Sequence, residues 1–105
     1  MTQLNGKAKE DFKGWVFENY YFQDLNVLYP LHLIDTLIIE WFDSSGIYID
    51  AEFFRKNIKD EPQFVSSTTD EWNGLQPLGV QYNSRQEAII QAIKKANDIY
   101  NARTN

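Results

Sequence analysis

The most apolar run in this 105-residue chain is PLHLIDTLIIEWFDSSGIYI, residues 30–49. Its apolar side chains recur at steps of three and four, the spacing that places them on one face of an α-helix: Ile34, Leu37, Ile38, Trp41 and Phe42. Pro30 suits a first helical position because its missing N–H would have no partner there. Gly46 suits the position just past the end, where φ is often positive. The run therefore predicts a helix over residues 30–45 that leads directly into a strand.

The segment after this helix has the period of two that is typical of β-strands. In residues 47–54 one face carries Ile47, Ile49, Ala51 and Phe53, and the other, mostly solvated, carries Tyr48, Asp50, Glu52 and Phe54. A charged loop is expected at residues 55–62, and the β-branched, alternating residues 63–69 predict a second strand. Asn73-Gly74 favours a tight turn. A third short strand within residues 75–83 would lie at a sheet edge, because it contains Pro77 and Gly79.

Two further helices flank these elements. The first is expected over residues 7–22, with Phe12, Trp15 and Val16 on its apolar face. The last begins at a capping box, Ser84 to Glu87, and carries one apolar stripe: Ala88, Ile89, Ala92, Ile93, Ala96, Ile99 and Tyr100. The chain is thus predicted to be one α+β domain, residues 1–105, with frayed ends at 1–6 and 102–105. Its element order is α-α-β-β-(β)-α, with the helices packed on one face of a short antiparallel sheet.

Composition excludes several classes of function. The chain has no Cys, which removes disulfide scaffolds and thiol chemistry. The N-terminal residues lack the apolar core of a signal peptide, and no run is apolar enough to span a membrane, so we expect a cytoplasmic protein. The net charge is −5, and residues 30–54 contain no Lys or Arg but five acids: Asp35, Glu40, Asp43, Asp50 and Glu52. Such a segment argues against direct binding of nucleic acid, which relies on clustered basic residues.

The sequence offers few groups for catalysis. His32 is the only histidine, and Asp35 and Thr36 near it are expected to face solvent, so a general base in a pocket is not indicated. A cofactor is not expected, nor is a common transition-metal site, because a second His or a Cys is lacking. Asp50 and Glu52 share a strand face and could bind a hard cation through oxygen. A solvated strand face is the favoured interpretation, but the metal site stays open as an alternative.

The three tryptophans differ in their surroundings. Trp41 and Trp15 lie on the apolar faces of predicted helices and are expected in the core. Trp72 lies in the polar turn TTDEWNG. It either contacts a partner, since exposed aromatics are frequent at protein interfaces, or folds back over the sheet edge.

Two segments, WFDSSGIYI (41–49) and YNSRQEAIIQAIKKANDIY (82–100), resemble small uncharacterised proteins of bacterial phages and integrated mobile elements. They cover less than a third of the chain. The resemblance implies a phage protein of the kind that often inhibits host machinery, including nucleic-acid-guided defence nucleases, as anti-CRISPR proteins do. An acidic surface would complement the basic channel in which such a nuclease holds its guide.

We therefore expect a non-enzymatic, acidic module that binds a host protein in the bacterial cytoplasm. The residues expected to contact this partner are Asp35, Glu40, Asp43, Asp50, Glu52 and Trp72. Two alternatives stay open: a metal-dependent enzyme or binder that uses Asp50 and Glu52, and a structural phage protein that forms homo-oligomers.

Overall fold

The protein is described here by a computed structural model covering residues 4–20, 31–54, 63–70 and 74–103. In chain order its elements are α1 (Gly6–Tyr20), α2 (Leu31–Ser44), β1 (Ile47–Phe54), β2 (Gln63–Asp70), β3 (Gly74–Tyr82) and α3 (Arg85–Arg103). The three strands form one antiparallel sheet in the order β1-β2-β3. The α+β class and the predicted element order are confirmed, and the third strand is present.

The end of α2 and the start of β1 follow from a tight turn. The N–H of Ser45 donates to the carbonyl of Phe42 at 2.9 Å, and the N–H of Gly46 donates to that of Asp43 at 3.2 Å. Gly46 has φ 78°, a left-handed conformation that glycine adopts without steric strain because it has no Cβ. The predicted helix stop is confirmed, whereas Pro30 lies outside the described residues.

The sheet is a meander whose edges are β1 and β3. Ile47 pairs with Asp70 at one end of the β1–β2 ladder, and Phe53 pairs with Phe64 near the other. The β2–β3 ladder has an irregularity between Val65 and Ser67. The predicted edge position of β3 is confirmed. The expected loop at 55–62 and the turn residues 71–73 lie outside the described residues.

Helix α3 packs on β1 and β2, α2 packs on β1, and α1 packs on the other two helices. Three alanines of α3, each fully buried, allow its backbone to approach the sheet closely: Ala88, Ala92 and Ala96. The hydroxyl of Thr68 on β2 donates to the carbonyl of Ala92 at 3.2 Å. Ser84 caps this helix as predicted, since its hydroxyl accepts from the N–H of Glu87 at 3.1 Å.

Trp41 lies at the centre of the core and is only 4% exposed. Its ring centroid lies 5.7 Å from that of Phe12 on α1, 4.7 Å from Phe42 and 4.8 Å from Tyr100 on α3. Trp15 is partly buried against the same cluster. Both tryptophans therefore take the core positions that their helical spacing predicted.

Phe53 departs from the prediction. It lies on the same side of β1 as buried Ile47, yet its side chain is 53% exposed. Its ring meets that of Phe64 on β2, and the guanidinium of Arg85, the first residue of α3, lies over the Phe64 ring. Because α3 begins at this level of the sheet, it covers only the part of this face that lies towards Ile47.

The chain ends make more contacts than the sequence predicted. Leu4 is buried, and the N–H of Asn5 donates to the side chain of Asn97 at 2.9 Å. At the other end, α3 continues to Arg103. Residues 4–6 and 102–103, which were expected to be frayed, lie in or beside α1 and α3, while 1–3 and 104–105 lie outside the described residues.

Arg103 forms a buried ion pair with Asp70 at the end of β2. Its guanidinium also donates to the carbonyl of Ser45, at 2.6 Å, just after α2. Asp70 is fully buried, so its charge depends on the contacts that the fold provides. One side chain thus joins the ends of α3, α2 and β2.

Candidate partner-binding surface and pocket

The acidic residues predicted to contact a partner lie in three places. Asp50 and Glu52 are exposed on the outer face of β1, the face turned away from α3, and Glu40 and Asp43 are exposed on α2. Asp35, also on α2, is half-buried. Trp72, the remaining predicted contact residue, lies outside the described residues. The acids that follow one another in sequence therefore do not form one continuous patch.

Within the described ranges the ion pairs join Lys7 to Asp11 and Arg103 to Asp70, and neither includes Asp43, Asp50 or Glu52. Partial burial raises the pKa of the Asp43 carboxyl, and the neighbouring Glu40 raises it further. The exposed carboxylates of Asp50 and Glu52 can therefore face a basic partner surface.

The outer face of β1 also carries an exposed aromatic side chain. Tyr48 is 47% exposed and alternates with Asp50 and Glu52 along the strand. Its partner across the ladder is Thr69, and that of Asp50 is Ser67. This face combines one large ring with two carboxylates and small hydroxyl groups, and we refer to Tyr48, Asp50 and Glu52 as the outer strand face.

A second exposed aromatic group lies at the end of β1. The rings of Phe53 and Phe64 meet edge to face with centroids 5.8 Å apart. The guanidinium of Arg85 lies 5.4 Å from the centroid of Phe64 and donates to the carbonyl of Ala51 at 3.2 Å. Sequence reasoning missed this group, because only the strand register shows that Phe53 and Phe64 are paired.

A pocket of about 300 Å³ lies between the first half of α2 and the start of α3. The described residues that line it are Asp35, Thr36, Ile39, Arg85, Gln86 and Ile89. Burial raises the pKa of the Asp35 carboxyl. The expectation that Asp35 faces solvent is wrong, because the start of α3 packs beside this side of α2. Thr36 is exposed as expected, but it borders the pocket.

The other predicted sites are the possible metal site on β1 and the single histidine. Asp50 and Glu52 share a face as predicted, but no cluster of three potential metal ligands exists within the described ranges. His32 belongs to α2, and its side chain lies outside what the structure describes. None of the helices, over the residues described, combines the length and apolarity needed to cross a membrane.

Comparisons of the chain with protein-family models, with characterised proteins and with solved structures found no match. The resemblance of residues 41–49 and 82–100 to phage proteins therefore stays a prediction. The function must be argued from the surface and the pocket themselves.

Proposed function

We propose that this protein is a non-enzymatic binding module that attaches to a basic surface of a partner protein through its outer strand face. The observation that carries the proposal is the exposure of Tyr48 together with Asp50 and Glu52 on one side of an edge strand. Tyrosine is enriched at interfaces, because its ring provides a large contact area and its hydroxyl a hydrogen bond. The two carboxylates would select a partner of positive charge.

The acids in this arrangement contribute mainly to the speed and selectivity of association. Exposed charges that complement a partner steer the encounter and exclude partners of the same sign. A net charge of −5 over 105 residues is far below that of a nucleic-acid mimic. The ring of Tyr48 and the shape of the strand face must therefore supply much of the affinity.

More specifically, we propose that the partner is a nucleic-acid-guided defence nuclease of a bacterial host, and that this protein inhibits it in the cytoplasm. Two arguments support this form: the resemblance to phage and mobile-element proteins, and the acidic surface. Such nucleases hold their guide duplex in a positively charged channel. Occupation of that channel by the outer strand face would block the nucleic acid.

The test is a pull-down with the tagged protein from bacterial cells that express such a nuclease, at low and at high salt. We expect the nuclease to be retained at low salt and largely released at high salt, because salt screens exposed charges. If no specific protein is retained at low salt, the proposal is wrong. Retention of a different protein would agree with a binding module but would exclude the nuclease as its partner.

Matched variants assign the contact to the outer strand face. Asp50→Asn with Glu52→Gln removes two exposed charges from it, and Glu10→Gln with Glu18→Gln removes two exposed charges from α1. We expect the first pair to lower the association rate about tenfold and the second to change it little. Surface changes of this kind alter stability by no more than about 0.5 kcal/mol. Equal rates for both double variants would place the contact elsewhere.

A further inference from the structure

We infer that the pocket between α2 and α3 binds a cation carried on a short aliphatic chain, with Asp35 paired to the charge and Ile39 and Ile89 against the chain. Such a group is the ammonium of a lysine side chain or of a free amine. The inference concerns the pocket alone and does not depend on the proposed function of the outer strand face.

Asp35 is the residue that selects for a cation. Its carboxyl is half-buried in the pocket wall, and no Lys or Arg within the described ranges forms an ion pair with it. Burial, the largest cause, raises the pKa of its carboxyl, and the positive charge of the N-terminal amine lowers it in part. An ammonium group in the pocket would compensate for this burial through a charge-assisted hydrogen bond.

Arg85 does not supply that charge, although it lines the same pocket. Its guanidinium donates to the carbonyl of Ala51 and lies over the ring of Phe64, so it is held against the sheet and forms no ion pair with Asp35. The pocket thus combines one partly desolvated carboxylate with walls that are mostly apolar. This combination fits a cation on an aliphatic chain, with the charge placed at Asp35.

The size of the pocket agrees with a small group. Its volume is about 300 Å³, at the lower end of the range of about 300–1,000 Å³ for small-molecule sites. That space suits a single lysine-sized side chain or a short amine. Ile39 and Ile89, from two different helices, would contact opposite sides of an aliphatic chain.

The test is a titration of the isotope-labelled protein followed by amide NMR shifts, with n-butylammonium as probe and n-butanol as its neutral counterpart. We expect saturable shifts at the amides of Thr36, Ile39 and Ile89, with a Kd on the order of a few mM for so small a probe. Butanol should bind at least about tenfold more weakly, since it lacks the charge. Equal binding of the two probes, or the absence of saturable shifts at these amides, would overturn the inference.

Two variants on the same helix complete the test. Asp35→Asn keeps the shape of the side chain and should weaken butylammonium binding at least about tenfold. Asp43→Asn removes an exposed charge away from the pocket and should leave binding unchanged. Thermal unfolding of both variants shows that each is folded. Wild-type affinity in Asp35→Asn would refute the role of Asp35.

A second titration distinguishes the sources of the cation. The probes are putrescine, a free diamine, and lysine blocked at both backbone ends. Tighter binding of blocked lysine assigns the pocket to a protein side chain, and tighter binding of putrescine assigns it to a free amine. Because these measurements use the protein alone, their outcome is independent of the pull-down that tests the outer strand face.

Discussion

Replacement of Arg103 by Met would remove the positive partner of Asp70 and leave a carboxylate in the interior. Asp70 is fully buried, and the Arg103 side chain is almost as inaccessible. Methionine keeps much of the aliphatic volume of arginine, so the loss of the charge dominates the effect. The variant also removes the donor to the carbonyl of Ser45, at 2.6 Å in the wild type.

The size of the effect follows from this burial. Removal of one partner of a buried ion pair costs about 3–5 kcal/mol, because the other charge is left without compensation. A domain of this size has a total unfolding free energy of about 5–15 kcal/mol. Arg103→Met should therefore take away a large part of the stability. With an m-value of about 1.5 kcal/mol/M, the urea midpoint should fall by roughly 2–3 M.

A double-mutant cycle separates the ion pair from the rest of the site. Asp70→Val alone should also be destabilising, because it leaves the guanidinium of Arg103 buried without its carboxylate. The double variant, Arg103→Met with Asp70→Val, should cost less than the sum of the single variants, since apolar groups then replace both charges. Urea unfolding followed by tryptophan fluorescence measures all four free energies.

An exposed ion pair in the same protein provides the control. Lys7 and Asp11 lie 3.1 Å apart on α1, and both side chains are in contact with solvent. Lys7→Met should change the free energy of unfolding by less than about 1 kcal/mol. If Lys7→Met and Arg103→Met have equal effects, or if the costs in the cycle are additive, the buried pair does not stabilise the fold as argued.

Two further predictions concern the core and a tyrosine. Trp41→Ala should lower the free energy of unfolding by about 3–5 kcal/mol, because a buried ring with three aromatic neighbours is lost. The control Asp43→Asn, on the polar side of α2, should change it by no more than about 0.5 kcal/mol. Equal urea midpoints for the two variants would show that the apolar face of α2 is not part of the core. The Tyr100 hydroxyl donates to Asp11 at 2.6 Å, and burial, followed by this bond and the charge of Asp11, raises the pKa of Tyr100 to about 12 from 10.0. The native state therefore holds a proton that the unfolded state releases, so stability should be retained below pH 10 and fall as the pH rises towards about 12. Melting temperatures of the wild type and Tyr100→Phe across this range test the prediction, and parallel profiles would contradict it.

The sequence determined the elements that depend on neighbours along the chain. The apolar period of Ile34 to Phe42, the glycine at position 46 and the capping box at Ser84 act within one or two turns. The structure confirms the helix, its end and the cap at these residues. The alternation in β1 likewise predicted that Asp50 and Glu52 share an exposed face. Local patterns therefore identified the elements and the outer strand face.

The tertiary structure decided which residues meet across elements. Arg103 and Asp70 are 33 positions apart, and Asp35 and Arg85, which line the same pocket, come from different helices, so no periodic pattern relates these residues. The exposure of Phe53 also depends on where α3 begins over the sheet, since its alternation places it on the same side as buried Ile47. Periodicity predicts the direction in which a side chain points relative to its own helix or strand. Burial, charge pairing and pocket shape depend in addition on which other element packs there, and that is set by contacts between residues distant in the sequence.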